Sequence, residues 1–133
     1  MARGQGYYHV RWNELEDYPG ETSRIFSGPL ACTNFAFIIN RQAPGAEGVH
    51  HNHDVAEEVY VLLSGEGKLR VDDEVITLGP HDAVRVEPGV MHSTSNHGAE
   101  EAVWLVIGAP ADEFIAWDPV AYGPPQEQPS AAE

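Results

Sequence analysis

The sequence predicts an all-β protein, a sandwich or barrel of short strands. Three observations predict it. Apolar residues recur at every second position in short runs. Gly, Pro, Asn or Asp separates each run from the next at a regular spacing. Only residues 112–117 have a helical pattern, and that stretch is short.

Taken in order, residues 1–30 carry the weaker signals, with strands predicted at Tyr7 to Trp12 and Arg24 to Phe26. Phe35, Phe37 and Ile39 alternate with Asn34, Ala36 and Ile38 until Gln42-Ala43-Pro44-Gly45 breaks the run. Val49 to His53 reads as a short strand, and Glu57 to Leu63, rich in Val, Tyr and Leu, as a longer one. Ser64-Gly65-Glu66-Gly67 turns the chain into Lys68 to Val71. Asp72-Asp73 turns it again into Glu74 to Leu78. Beyond Gly79-Pro80-His81-Asp82 come strands at Ala83 to Val86, Met91 to Ser95 and Ala102 to Ile107. Residues 1–117 read as one domain, with its core at 35–107. The Pro-rich segment 118–133 reads as an extended, partly mobile tail.

The chain has 133 residues, enough to bury a core without disulfides or a structural zinc. Its single cysteine, Cys32, excludes an internal disulfide and a Cys-rich zinc site, and reads as a small core residue. Met1 to Gly6 is polar, with no apolar signal segment after it, and no run approaches the roughly 20 apolar residues of a membrane span. A cytoplasmic protein is expected. Acidic residues number 21 against 7 basic, for a formal charge of -14. That charge repels phosphate backbones and anionic lipid surfaces, so nucleic-acid and membrane partners are not expected.

The chemistry concentrates between Gly48 and Tyr60. In a strand, His51 and His53 share a face, while His50 and Asn52 take the other. Glu58 opens the next strand, within reach of both imidazoles if the two strands pair. Tyr60 lies on its face. A third imidazole, His92, follows the Pro88-Gly89 turn, with Thr94 and Asn96 on its face. Three imidazoles and one carboxylate suit one divalent transition ion (Mn, Fe, Co, Ni, Cu or Zn) better than Ca or Mg. Four protein ligands leave an octahedral ion about two open positions. Neither a Ser-His-Asp elbow nor a phosphate-cradling glycine loop is present.

These residues resemble the two motifs of the cupin superfamily. Gly45, His51, His53, Glu58 and Gly65 meet every spacing of the first; Gly89, His92 and Asn96 fit the second. Two turn positions depart: His81 stands where the second motif begins with Gly, and Glu87 where it has Pro. The resemblance covers residues 35–107. It implies a double-stranded β-helix, or jelly roll, that holds a metal near the barrel axis through His51, His53, Glu58 and His92. Glu58 has a second option, to act through a water. It also implies a homodimer.

Around that metal, Tyr60 is the candidate proton-moving group; its alternative is a core tyrosine with its hydroxyl satisfied by backbone. Phe35, Phe37, Thr94, Asn96 and Trp104 are the candidate pocket residues, though the aromatics also suit plain core and Asn96 could simply hold its turn. His81 and His97 sit in turns and are expected to be solvated, while His9 has no assigned role. Gly65, Gly67 and Gly89 read as devices for tight turns. The functions in view are a metal-dependent enzyme on a small organic molecule (dioxygenase, decarboxylase, isomerase or lyase type) and a non-catalytic module with a metal-organised pocket. A purely structural, storage-like role has no use for four convergent ligands.

The acidic surface has two readings, an aid to solubility and an adaptation to a high-salt cytoplasm. The second predicts that added KCl raises the thermal midpoint. A chain fully folded and active at low ionic strength, with no gain from salt, excludes it.

Overall fold

The computed structural model describes residues 2–19 and 22–114, and the predicted tail lies outside them. The described chain is β-rich and contains no α-helix. A small hairpin pairs β1 (Ala2–Gly4) with β2 (Tyr7–His9). The larger sheet runs β3 (Ser23–Ile25), β4 (Ala36–Gln42), β10 (Ala102–Ala109), β5 (Glu57–Ser64), β8 (Ala83–Val86). The smaller sheet runs β7 (Glu74–Leu78), β6 (Gly67–Val71), β9 (His92–Ser95). Every pairing is antiparallel.

The predicted alternation is clearest in β10, where Ala102, Trp104, Val106 and Gly108 are buried and the residues between them are half-buried. In β5 the buried set is Glu58, Tyr60 and Leu62. The two strands pair with Trp104 opposite Leu62, Val106 opposite Tyr60 and Gly108 opposite Glu58. The core therefore gathers Tyr60, Leu62, Trp104 and Val106 against Leu69, Leu78 and Val86. Leu62 and Leu69 are wholly buried, and each such side chain contributes about 1.5–3 kcal/mol relative to exposure.

The structure departs from the sequence reading in several places. Tyr7 to Trp12 is not one strand: β2 stops at His9, and Trp12–Glu14 forms a 3-10 turn. Strand β4 starts at Ala36 rather than Phe35 and runs on to Gln42, because β10 pairs with it along that whole length. Residues 49–53 do not form a regular strand. Two isolated bridges, Glu47 to Ser95 and His51 to His92, lay this segment along β9. The helix expected at 112–117 is a single 3-10 turn, Ala111–Glu113, and residues 115–117 lie outside the described chain. The turn ends at Phe114, whose backbone is extended (φ -108°, ψ 127°), and the Glu113 side chain bonds the backbone at 54–56. Cys32 is half-buried and lies outside the core cluster.

The turns repay the glycine reading at Gly65, whose φ is +82° and whose missing Cβ would sit 2.4 Å from the Glu101 carbonyl oxygen. His81, which replaces a motif glycine, has φ 75° and so keeps the left-handed backbone that the glycine would supply. Gly65→Ala is expected to destabilise the protein by about 1–3 kcal/mol, read as a lower denaturant midpoint with an unchanged slope.

Candidate metal centre

Three elements deliver the four candidate ligands. Glu58 enters on β5, with the inward parity of Tyr60 and Leu62. His92 opens β9, opposite Val71 of β6. His51 and His92 exchange backbone bonds in both directions, His51 N–H to His92 C=O at 2.9 Å and the reverse at 2.8 Å. His53 follows two residues later on the same segment. One ligand atom from each of His51, His53, Glu58 and His92 lies within 4.8 Å of the others.

The hydrogen-bond pattern fixes how two imidazoles point. His51 Nδ1 lies 2.7 Å from the Val49 carbonyl and His92 Nδ1 lies 2.8 Å from the Val90 carbonyl. A carbonyl only accepts, so each Nδ1 carries the proton and each neutral ring turns an Nε2 lone pair inward. Those nitrogens face Glu58 Oε1, at 3.5 Å from His51 and 2.5 Å from His92. His53 Nε2 is 3.3 Å from the same oxygen, yet it is buried with no aligned hydrogen bond. Lone pairs and a carboxylate oxygen converging in this way repel one another unless a cation lies among them. Ligand atoms about 2.0–2.2 Å from one ion stand roughly 3 Å apart, near the spacings of His51 and His53 to Glu58. The donor set and the unpartnered His53 nitrogen thus fit one divalent ion, while the carbonyls on Nδ1 supply the orienting contacts that ligating imidazoles require.

Protons stabilise this cluster when no ion does. Burial pushes the Glu58 carboxyl up, but hydrogen bonds from His51 and His92, with the charges of His92 and His53, outweigh it and bring the pKa down to about 2. The hydrogen bond to Glu58 raises His51 above its ordinary 6.5, against the opposing effect of burial, with help from the Val49 carbonyl and the Glu58 charge.

The cluster opens on a cavity of about 570 Å³, within the range of small-molecule sites. Tyr60, Thr94 and Trp104 line it. The Tyr60 hydroxyl donates to Glu58 Oε1 at 3.3 Å rather than to backbone. Phe35 and Phe37 are corrections. Phe35 is 38% exposed and precedes β4, and Phe37 stacks on Phe26 with ring centroids 4.9 Å apart. Strand parity is the reason, since the β4 residues lining the cavity are Ile38, Asn40 and Gln42. Asn96 is also off the cavity. It is wholly buried, donates to the carbonyls of Gln42 and Glu100, and accepts from Gly98 N–H, so it holds its turn. His50 faces away, with Nδ1 3.3 Å from Ser93 Oγ, and His9, His81 and His97 are exposed.

Sequence reasoning missed Gln42, Asn40 and Phe114. Trp104 Nε1–H donates to Gln42 Oε1 at 3.0 Å, which turns the Gln42 amide nitrogen to Thr94 Oγ1 at 3.1 Å. The available signal was Asn40 and Gln42, which share the parity of Ala36 and Ile38 on β4. Phe114 lies against the His53 ring at 4.4 Å, and no local sequence pattern marks it.

A β-rich fold that gathers three imidazoles and a buried carboxylate beside one cavity, with His51, His53 and Glu58 in its wall, defines a β-barrel with a candidate metal centre. The profile described as "Cupin domain" matches residues 39–108, more than half of the 133, and the chain belongs to the cupin-domain family. A comparison with curated proteins finds no match. Among solved structures, it is similar to an uncharacterized conserved protein with a double-stranded β-helix domain from Klebsiella pneumoniae. That pair shares 20% identity with a TM-score of 0.67, over 80% of this chain and 92% of that one. A cupin protein from Bacteroides fragilis shares 26% identity with a TM-score of 0.63, over 84% and 91%. A protein described as a predicted oxalate decarboxylase from Thermotoga maritima shares 20% identity with a TM-score of 0.64, over 76% and 97%. The double-stranded β-helix is therefore the fold. No helix among the described residues is long and apolar enough to cross a membrane.

The two shifted groups set a pH signature. In ion-free protein the lowered Glu58 pKa gives stability that is present above about 4.5 and lost as pH falls toward about 2. The raised His51 pKa gives stability that is full below 6.5 and lost as pH rises through its folded value. An ion needs the imidazoles unprotonated. The rise in thermal midpoint on adding Zn²⁺ is therefore expected to be large at pH 8 and to vanish by pH 5; a pH-independent rise would contradict this.

Proposed function

We propose that the protein is a metal-dependent enzyme acting on a small organic molecule, of the dioxygenase, decarboxylase, isomerase or lyase type. One observation carries the reading: the Nε2 atoms of His51, His53 and His92 converge on Glu58 Oε1 beside the 570 Å³ cavity. When bound, a divalent transition ion supplies Lewis-acid polarisation of a substrate oxygen or a route to O₂.

The chain's own residues do the rest. Burial, with the charge and hydrogen bond of Glu58, holds the Tyr60 hydroxyl well above its ordinary pKa. Tyr60 therefore keeps its proton at neutral pH and holds it beside Glu58, where it can pass to a substrate atom. Ile38, Trp104, Val106 and Phe114 give the cavity apolar wall that excludes water. Thr94 accepts from Gln42, which leaves its own hydroxyl proton for a ligand. No Lys or Arg lines the cavity among the described residues. A phosphate group would meet no fixed counter-charge there, so the reading favours a substrate that is neutral or carries a single carboxylate. A cytoplasmic setting goes with the single free thiol of Cys32, and a homodimer with the resemblance to cupins.

A second reading, a binding module without chemistry, is favoured by the scarcity of proton-moving groups. Beyond the ligands and Tyr60, the titratable lining group is Glu47, which is exposed.

Elemental analysis of untagged protein is expected to find about one first-row transition ion per chain, and none in any preparation would overturn both readings. Tyr60→Phe, with metal retained, is expected to lose about 10²–10⁴ in kcat on a substrate identified from acids, sugars and phenolics. Full turnover by that variant rejects the role of Tyr60. Binding without turnover by the wild type supports the second reading.

A further inference from the structure

The loop between two of the candidate ligands is held from outside the motif that supplies them. Residues 54–57 join His53 to Glu58. Glu113, on the 3-10 turn after β10, sends its carboxylate to three successive N–H groups of that loop. Oε2 accepts from Asp54 at 3.1 Å; Oε1 accepts from Val55 at 2.7 Å and from Ala56. A carboxylate is suited to this, because it is acceptor-only and bonds N–H groups more strongly than a neutral amide does.

The next residue supports the same ligand from its ring side. Phe114 rests against His53 with centroids 4.4 Å apart. It has room there because Gly108 carries no side chain, and a Cβ on Gly108 would fall 2.0 Å from the Phe114 ring. Carbonyls hold Nδ1 of His51 and His92. His53 has no such carbonyl among the described residues, so its ring depends on Phe114 and on the loop that carries it.

We propose that Glu113 is a positioning residue for the metal centre, clamping the 54–56 backbone so that His53 and Glu58 are presented together, with Phe114 backing the His53 ring. The proposal rests on the metal reading above, and its test separates the two. Co²⁺ affinity is measured by chelator competition, and the visible Co²⁺ spectrum is recorded, on wild type, Glu113→Ala, Glu113→Gln and Phe114→Ala. Amide hydrogen exchange at 54–56 is measured on the same proteins.

Glu113→Ala is expected to weaken Co²⁺ binding about 10–100-fold, alter its spectrum and speed exchange at 54–56. Glu113→Gln, which keeps the shape and one carbonyl acceptor, recovers part of each effect and keeps the test open if the alanine variant fails to fold. Phe114→Ala is expected to alter the Co²⁺ spectrum while leaving exchange at 54–56 slow. Wild type that binds Co²⁺, together with glutamine and alanine variants of unchanged affinity, spectrum and exchange, overturns the clamp alone. Wild type that binds no metal overturns the clamp together with the reading on which it rests.

Discussion

The register of β5 against β10 is the constraint on which the site depends. Side chains alternate faces along a strand, so a slip of one residue would exchange the two faces completely. Leu62, Tyr60, Trp104 and Val106 all belong to the buried parity, and burying them sets the pairing. Glu58 has the same parity and is carried inside, only 4% exposed, while Glu57 stays in solvent. The hydrophobic core thus drives a carboxylate into a place it would not enter alone. The charge then has to be met locally, and three imidazoles meet it. Without the core register there would be no buried carboxylate. Without the imidazoles the register would carry a penalty of several kcal/mol.

The histidines reach that carboxylate by different routes. His92 is the first residue of β9, fixed by the β6 ladder. His51 belongs to an irregular segment that runs along β9 through isolated bridges rather than a continuous ladder. A regular strand at 49–53 would keep His51 and His53 on one face and continue past His92. The observed segment leaves β9 after His51 and crosses to β5 through residues 54–57. That departure brings His53 and Glu58 to a common point, and it also explains why the crossing loop needs a partner from elsewhere in the chain.

What the sequence made legible follows from the range of the interactions. The four candidate ligands were readable because their spacing is local and two short motifs carry them. The turn at His81 departs from the motif, and its φ of 75° shows how: a histidine occupies a backbone conformation that glycine usually fills. The cavity wall was harder. Alternation alone leaves Phe37 between pocket and core; parity sends it to Phe26 and gives the cavity Asn40 and Gln42 instead. Gln42 meets Trp104 across 62 positions and Thr94 across 52. Glu113 meets the 54–56 loop across 57 to 59. No periodicity reports a contact of that range. Residues 112–117 read as a helix on local pattern alone, and the bonds of Glu113 to the distant backbone at 54–56 leave no trace in that pattern.

The distribution of charge argues further for a cation in the cluster. Arg24 and Arg41 are engaged with Asp17 and lie over the Trp12 ring. Arg85 faces Glu57 and Glu87, and Arg70 bonds the Asp72 carbonyl. None of these side chains lines the cavity. In a chain of formal charge -14, the field attracts small cations and not anions. Glu58 can then be neutralised only by protons on its imidazoles or by an ion that takes their place. Those two occupants compete for the same Nε2 atoms, so the tautomers fixed by the Val49 and Val90 carbonyls do more than orient two rings. By keeping a proton on Nδ1 they leave each neutral ring with a single open position, aimed at Glu58, and it is there that proton and metal exchange.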